Sequence, residues 1–193
     1  LGVYSLDETT SFYLSVSPDM TSLSRHLIVD GDERTLDAQE ELSRVKLERP
    51  DGYAFNLLSA LPCYDPKSKV IVECCLAANR LNMYSIKDPS FKKTVVLGKK
   101  QSSIKDAEKR MRLAPVLPSY ISHVDSYEDC FTILFERPLS KKQSILIFDW
   151  KGNPIDRIDL PFEITSFEID FEHRTVIALN RDTEELYFLS LST

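Results

Sequence analysis

The chain has no stretch approaching the ~18 consecutive apolar residues that a membrane-spanning helix needs. It has no excess of basic residues either, since the formal net charge is −6. A basic field is what draws a protein to nucleic acid or to acidic lipid, so neither is expected as a partner. No CxxC pair occurs among the four cysteines, Cys63, Cys74, Cys75 and Cys130. Zinc sites are built on such paired spacings, and only His26, His123 and His173 could supplement them. No GxSxG elbow is present, and no low-complexity linker divides the chain. No signal peptide is recognisable, and the sequence begins on Leu1 rather than Met.

What remains is an ordinary globular composition, 42% hydrophobic and 28% charged, over 193 residues. That is enough chain for one domain with a core, and one domain over residues 1–193 is the simplest division. The cysteines lie in apolar, strand-like surroundings. Adjacent residues of a strand point to opposite faces, so Cys74 and Cys75 are poorly placed to bond to each other. Four buried thiols are expected, with no metal and no cofactor.

The pattern is clearest from Tyr120 onward. Strands are expected at Tyr120–Val124, Cys130–Phe135, Ser144–Trp150 and Ile155–Leu160, joined by polar turns. Three more follow at Ile164–Asp170, Thr175–Asn180 and Glu185–Leu191. Four antiparallel strands joined by short turns make one propeller blade. Phe148 and Phe188 hold equivalent places about 40 residues apart, within the ~40–50 residues of blade repeats. An earlier unit reads Phe55–Tyr64, Lys69–Leu76, Asn82–Ile86 and Lys93–Leu97. The third strands carry apolar residues on both faces, which calls for cover on both. The N-terminal part shows strands at Val3–Leu6, Phe12–Val16 and His26–Val29. Thr35–Leu47 reads as a short amphipathic helix or a charged connection, and Gln101–Leu113 as a helical surface insertion. The fold class is therefore all-β and propeller-like, with four-stranded antiparallel blades. The length makes about four units, so the chain is either a small propeller or part of a six-bladed one. The last unit lacks an outer strand, and Leu1–Leu6 is expected to pair with Glu185–Leu191 and fill that place.

One signature is specific. Phe148, Asp149 and Trp150 lead into a turn carrying Gly152, Asn153 and Pro154. Gly152-Asn153 calls for a positive φ, and Asp149 is placed to hold the turn with its side chain, as Asx residues do. The Trp150 ring is expected to pack between blades. This stretch, with the following ITSFEIDFEHRTVIAL, resembles the C-terminal signature of the TolB-like six-bladed propeller family. Phe55–Ile86, with its Asp65-Pro66 turn, is similar to that family's middle blades. The resemblance runs from about Gly52 to the C-terminus and rests on structural turns. It implies secreted or lipid-anchored proteins of Gram-negative gut bacteria, without assigned activity, and it supplies no catalytic residues. A full family member is longer.

Other candidates read more blandly. Asp30-Gly31-Asp32-Glu33 gathers carboxylates but lacks the further ligands of a calcium loop, so a solvated turn is expected. His123 and His173, near Ser122 and Asp125, are expected to be solvated turn histidines rather than members of a catalytic set. Lys99-Lys100, Lys105, Lys109, Arg110 and Arg112 are interleaved with Asp106 and Glu108, as on a solvated helix face. The expected function is an extracytoplasmic binding or scaffold module in the periplasm or at the cell surface. Its protein or carbohydrate partner would sit at the propeller mouth, with any lipid anchor upstream of Leu1. The alternative is a cell-envelope hydrolase or lyase with its site at the central axis. A purely structural subunit is the third class.

Overall fold

A computed structural model describes residues 3–18, 23–36, 59–88, 90–100, 103, 106, 109, 119–137, 140 and 142–191. All the strands are antiparallel and each sheet pairs only sequence neighbours. The first sheet holds β1 (Val3–Ser5), β2 (Thr10–Val16), β3 (Leu23–Val29) and β4 (Asp32–Leu36). The second holds β5 (Ala60–Asp65), β6 (Val70–Cys75), β7 (Arg80–Ser85) and β8 (Lys92–Val96). The third holds β9 (Ile121–Ser126), β10 (Cys130–Glu136), β11 (Gln143–Asp149) and β12 (Pro154–Asp159). The fourth has three strands, β13 (Ser166–Asp170), β14 (Thr175–Asn180) and β15 (Glu185–Ser190). These are blade-like meanders, and the all-β, propeller-like class is the observed one. The chain divides into two compact units, Leu1–Pro118 with the first two sheets and Ser119–Thr193 with the last two.

The N-terminal strand is not where strand counting put it. Val3–Ser5 pairs with Ser11–Tyr13 in a hairpin of its own and does not complete the C-terminal sheet. The turn that permits this is held by Asp7, whose carboxylate accepts the Thr9 N–H at 3.0 Å. A second difference lies at Thr35, which with Leu36 ends β4 rather than opening a helix. The rest of that stretch falls outside the described residues, as does most of Gln101–Leu113. Within the latter, Asp106 and Lys109 are helical, and the Ser103 hydroxyl accepts the Asp106 N–H at 3.1 Å in a cap.

In the first unit the apolar faces of two sheets meet. Phe12, Leu14 and Leu27 pack with Ala60, Tyr64, Ile71 and Ala77. Strands β6 and β7 are buried on both faces, as their sequences demand. One charge pair is sealed in with them. The Arg25 guanidinium, 0% exposed, donates to both Glu73 carboxylate oxygens at 2.7 and 2.9 Å. The Tyr84 hydroxyl donates to Glu73 at 3.1 Å, and its ring lies 5.8 Å from the guanidinium. Burial works against the Arg25 charge, but the Glu73 carboxylate outweighs it and holds the guanidinium above its ordinary value.

In the second unit Leu134, Ile145 and Ile147 of the third sheet pack with Phe167, Ile169, Val176 and Ala178 of the fourth. The outward face of the fourth sheet departs from expectation. Leu186 is 55% and Phe188 67% exposed, so β15 is covered on one face only. The signature turn closes β11 onto β12. Asp149 accepts the Lys151 N–H at 2.9 Å, the Asn153 N–H at 2.7 Å and the Asn153 side-chain amide at 2.8 Å. Gly152 takes a φ of 75°, which an L side chain rarely adopts. Pro154 opens β12, a strand position where a missing N–H is tolerated.

Gly152→Val should therefore lower stability by about 1 kcal/mol or more in denaturant unfolding. An unchanged midpoint would remove the strain assigned to that turn. Glu73→Gln leaves the Arg25 charge buried without its counter-ion and should cost roughly 3–5 kcal/mol, whereas Arg25→Met with Glu73→Leu should recover most of that loss. A single variant as stable as the native chain would show that the pair is not sealed from water. The four cysteines are all buried and free. Burial and the neighbouring Glu73 charge push the Cys75 thiol up to about 12. Thiol titration at mildly alkaline pH should be slow in the native chain and return four groups in denaturant. A mass deficit from paired cysteines would contradict this.

Candidate functional site

The solvent-facing side of the first sheet carries a continuous polar row. Strand alternation sends Phe12 and Leu14 to the core and Tyr13 and Ser15 to the other face. On β3 the same alternation buries Arg25 and Leu27 and turns His26 outward. The hairpin of β3 and β4 turns at Asp30 (φ 52°) and Gly31 (φ 88°), a two-residue turn with both residues at positive φ. That turn sets Glu33 opposite Ile28, one row from His26. Ser15 Oγ lies 2.7 Å from His26 Nε2, and His26 Nδ1 lies 2.8 Å from Glu33 Oε1. The Tyr13 hydroxyl donates to the same Glu33 oxygen at 2.7 Å. Its ring stacks on the imidazole, with centroids 4.5 Å apart and planes 7° apart. The Tyr13 hydroxyl first, and the His26 ring second, hold the Glu33 carboxyl below its usual range. A hydroxyl, an imidazole and a carboxylate thus stand in hydrogen-bonded series, on three neighbouring strands.

Sequence reading did not single out Ser15, weighed His26 only as a supplementary zinc ligand, and took Glu33 for part of an acidic turn. Instead Asp32 and Glu33 belong to β4. Among the described residues no group of three or more His, Cys, Asp or Glu side chains is placed to hold a metal ion.

The second unit carries a cleft of about 540 Å³ at the end of the third sheet, between the β10–β11 loop and the β12–β13 connection. Arg137, Lys142, Arg157, Asp159, Phe162 and Glu163 line it, with Arg157 and Asp159 paired to each other along β12. The wall is fixed by the buried Gln143 side chain. Its amide donates to the Ile164 carbonyl at 3.0 Å, and its carbonyl accepts the Ile164 N–H at 2.7 Å. Phe162 stacks on Tyr187 with ring centroids 3.8 Å apart. The Asp159 carboxylate accepts the Ser144 hydroxyl at 2.6 Å and the Arg157 Nε–H at 2.7 Å. Those two donors, in that order, lower its pKa.

The remaining sequence candidates lie apart from this cleft. Phe148 stacks on Phe131, and the Trp150 ring lies 5.2 Å from that same Phe131. The Trp150 indole N–H donates to the Tyr127 carbonyl at 3.2 Å. Asp149, Gly152, Asn153 and Pro154 form the turn described above. His123 is not a solvated turn residue. It lies on β9 with Nε2 2.8 Å from Asp125 and its ring edge-on to Phe167. Residues two apart in a strand share a face, which is why these two meet while exposed Ser122 points away. The Asp125 hydrogen bond raises the His123 pKa despite partial burial. His173 does sit in a turn, 2.7 Å from Asp170. In the basic cluster only Lys99, Lys100 and Lys109 fall within the described residues.

No family model matches the chain, and no curated protein matches it. Solved structures share the fold. A member of the DUF4221 family from Bacteroides vulgatus aligns at a TM-score of 0.57 and 10% identity, over 97% of this chain and 63% of that one. A eukaryotic initiation factor aligns at a TM-score of 0.51 and 11% identity, over 98% of this chain and 41% of that one. An acylaminoacyl peptidase, solved with Z-Gly-Gly-Phe-chloromethyl ketone, aligns at a TM-score of 0.52 and 10% identity, over 98% of this chain and 30% of that one. The chain spans less than two thirds of each of these proteins. At such identities the likeness is one of fold, and the fold is of propeller type.

Proposed function

We propose that the chain is a propeller-type binding module that works outside the cytoplasm, and that it takes an acidic carbohydrate in the cleft of the third sheet. The observation that carries this reading is the lining of that cleft: three cations, two carboxylates and an aromatic ring converge on about 540 Å³. That volume lies in the range of small-ligand sites, which pair apolar walls with a few convergent polar groups. Guanidinium groups read planar oxyanions in a two-pronged way, and Lys142 adds a point charge. The carboxylates suit sugar hydroxyls, which donate hydrogen bonds. The wall is prepared in advance, because the Gln143 clamp and the Phe162–Tyr187 stack hold it before any ligand arrives. The extracytoplasmic setting, and kinship with the TolB-like family, rest on the Phe148–Pro154 signature and the propeller-type neighbours.

Calorimetric titration with glucuronate- or sulfate-bearing oligosaccharides should give saturable binding that weakens as salt is added. Neutral oligosaccharides of the same length should bind far less. Replacing Arg137 and Lys142 together by Ala should weaken the acidic ligands by about tenfold or more, the scale of one lost charge-assisted hydrogen bond. Equal affinity for neutral and acidic sugars, or no effect of the double replacement, would overturn the assignment.

A further inference from the structure

The polar row on the first sheet goes beyond a binding role. We infer that Ser15 is a nucleophile, activated by His26 and oriented through Glu33, and that it takes acyl groups from small activated esters. The geometry is the argument. A serine becomes reactive when a neutral imidazole can accept its proton, and the imidazole serves best when a carboxylate holds its other nitrogen. Both contacts are present, at 2.7 Å for Ser15–His26 and 2.8 Å for His26–Glu33. The order along the row, hydroxyl to Nε2 and Nδ1 to carboxylate, fixes the tautomer: Nδ1 carries the proton toward Glu33 and Nε2 is left to accept from Ser15. Tyr13 limits the ring's rotation by stacking on it, and limits Glu33 by donating to it. The four side chains stand on three paired strands, so the backbone ladder sets their spacing.

The step balances without a further reagent. Ser15 Oγ bonds to the acyl carbon while its proton passes to His26 Nε2. The carbon–oxygen bond to the leaving alcohol breaks, and that oxygen takes the proton from His26. Water then attacks the acyl-serine, giving one proton to His26. The acid leaves, and Ser15 recovers that proton. General-base help of this kind is worth roughly 10²–10⁴-fold, so slow turnover is expected. The row lies on a solvated sheet face, so the substrate is a short-chain aryl ester rather than a buried, shape-selected one.

The test treats the full chain with p-nitrophenyl acetate and, separately, with an alkyl fluorophosphonate. A burst of nitrophenol and a single acyl or phosphonyl adduct on the Ser15 peptide are expected. Ser15→Ala and His26→Gln should each reduce adduct formation at least tenfold while the circular dichroism spectrum stays native. Should a variant fail to fold, the native chain still decides the matter. Ser15 must label ahead of every other serine, and the urea-unfolded chain must not label there. No adduct, adducts spread over lysines and tyrosines, or equal labelling after unfolding would show that the row only ties its strands together.

Discussion

A sheet whose strands pair only with their sequence neighbours leaves its two edges unpaired, and its faces must do the holding. Among the described residues every sheet is of that kind. Strand β6, VIVECC, makes the consequence plain: all six of its residues are buried. A strand buried on both faces needs cover on both, and the first sheet supplies it on the face that carries Ile71 and Glu73. In the second unit, the third and fourth sheets interleave Leu134, Ile145 and Ile147 with Phe167, Ile169 and Val176. Face packing is non-directional, however, and by itself would tolerate sliding.

Directional contacts remove that freedom. In the first unit, the bidentate Arg25–Glu73 pair joins β3 of one sheet to β6 of the next, and Tyr84 adds a third bond to the same carboxylate. The pair is expensive to bury and adds little net stability over an apolar replacement. What it adds is position: two planar groups meet two-pronged in one register only. The Arg34 guanidinium bond to the Ile86 carbonyl, at 3.0 Å, fixes the same two sheets from the rim. In the second unit the Tyr127 hydroxyl accepts the Ile169 N–H at 2.9 Å, and so ties the fourth sheet to the third.

Much of this was legible in the sequence, and the gaps have physical causes. Thr175–Asn180 and the turns on either side of it emerge at the expected residues, because apolar alternation and turn residues there agree. The Asp149–Pro154 turn was legible for the same reason, its Asx and glycine chemistry being local. Strand counting misplaced Leu1–Leu6, because the Asp7 turn that folds it back contains neither glycine nor proline. Phe188 is equivalent to Phe148 by spacing, yet one is 67% and the other 4% exposed. Period-two patterning reports which residues share a face and does not report what lies against that face.

The two proposed surfaces were only partly legible, for related but different reasons. Half of the Ser15–His26–Glu33 row could have been read, since Asp30-Gly31 is a hairpin signal that fixes Glu33 one row from His26. The other half could not, because the connection between β2 and β3 is too long to set a register from turn chemistry. The cleft is harder still. Its Arg137 and Lys142 come from a loop, while Arg157, Asp159 and Phe162 come from the end of β12 and the chain beyond it. What brings them together is the Gln143 clamp on Ile164, a side chain reaching the backbone of a segment 21 residues away. Long-range side-chain-to-backbone bonds of this kind leave no periodic trace. The two surfaces therefore share one logic: alternation decides which side chains leave the core, and a few polar contacts decide which of those meet.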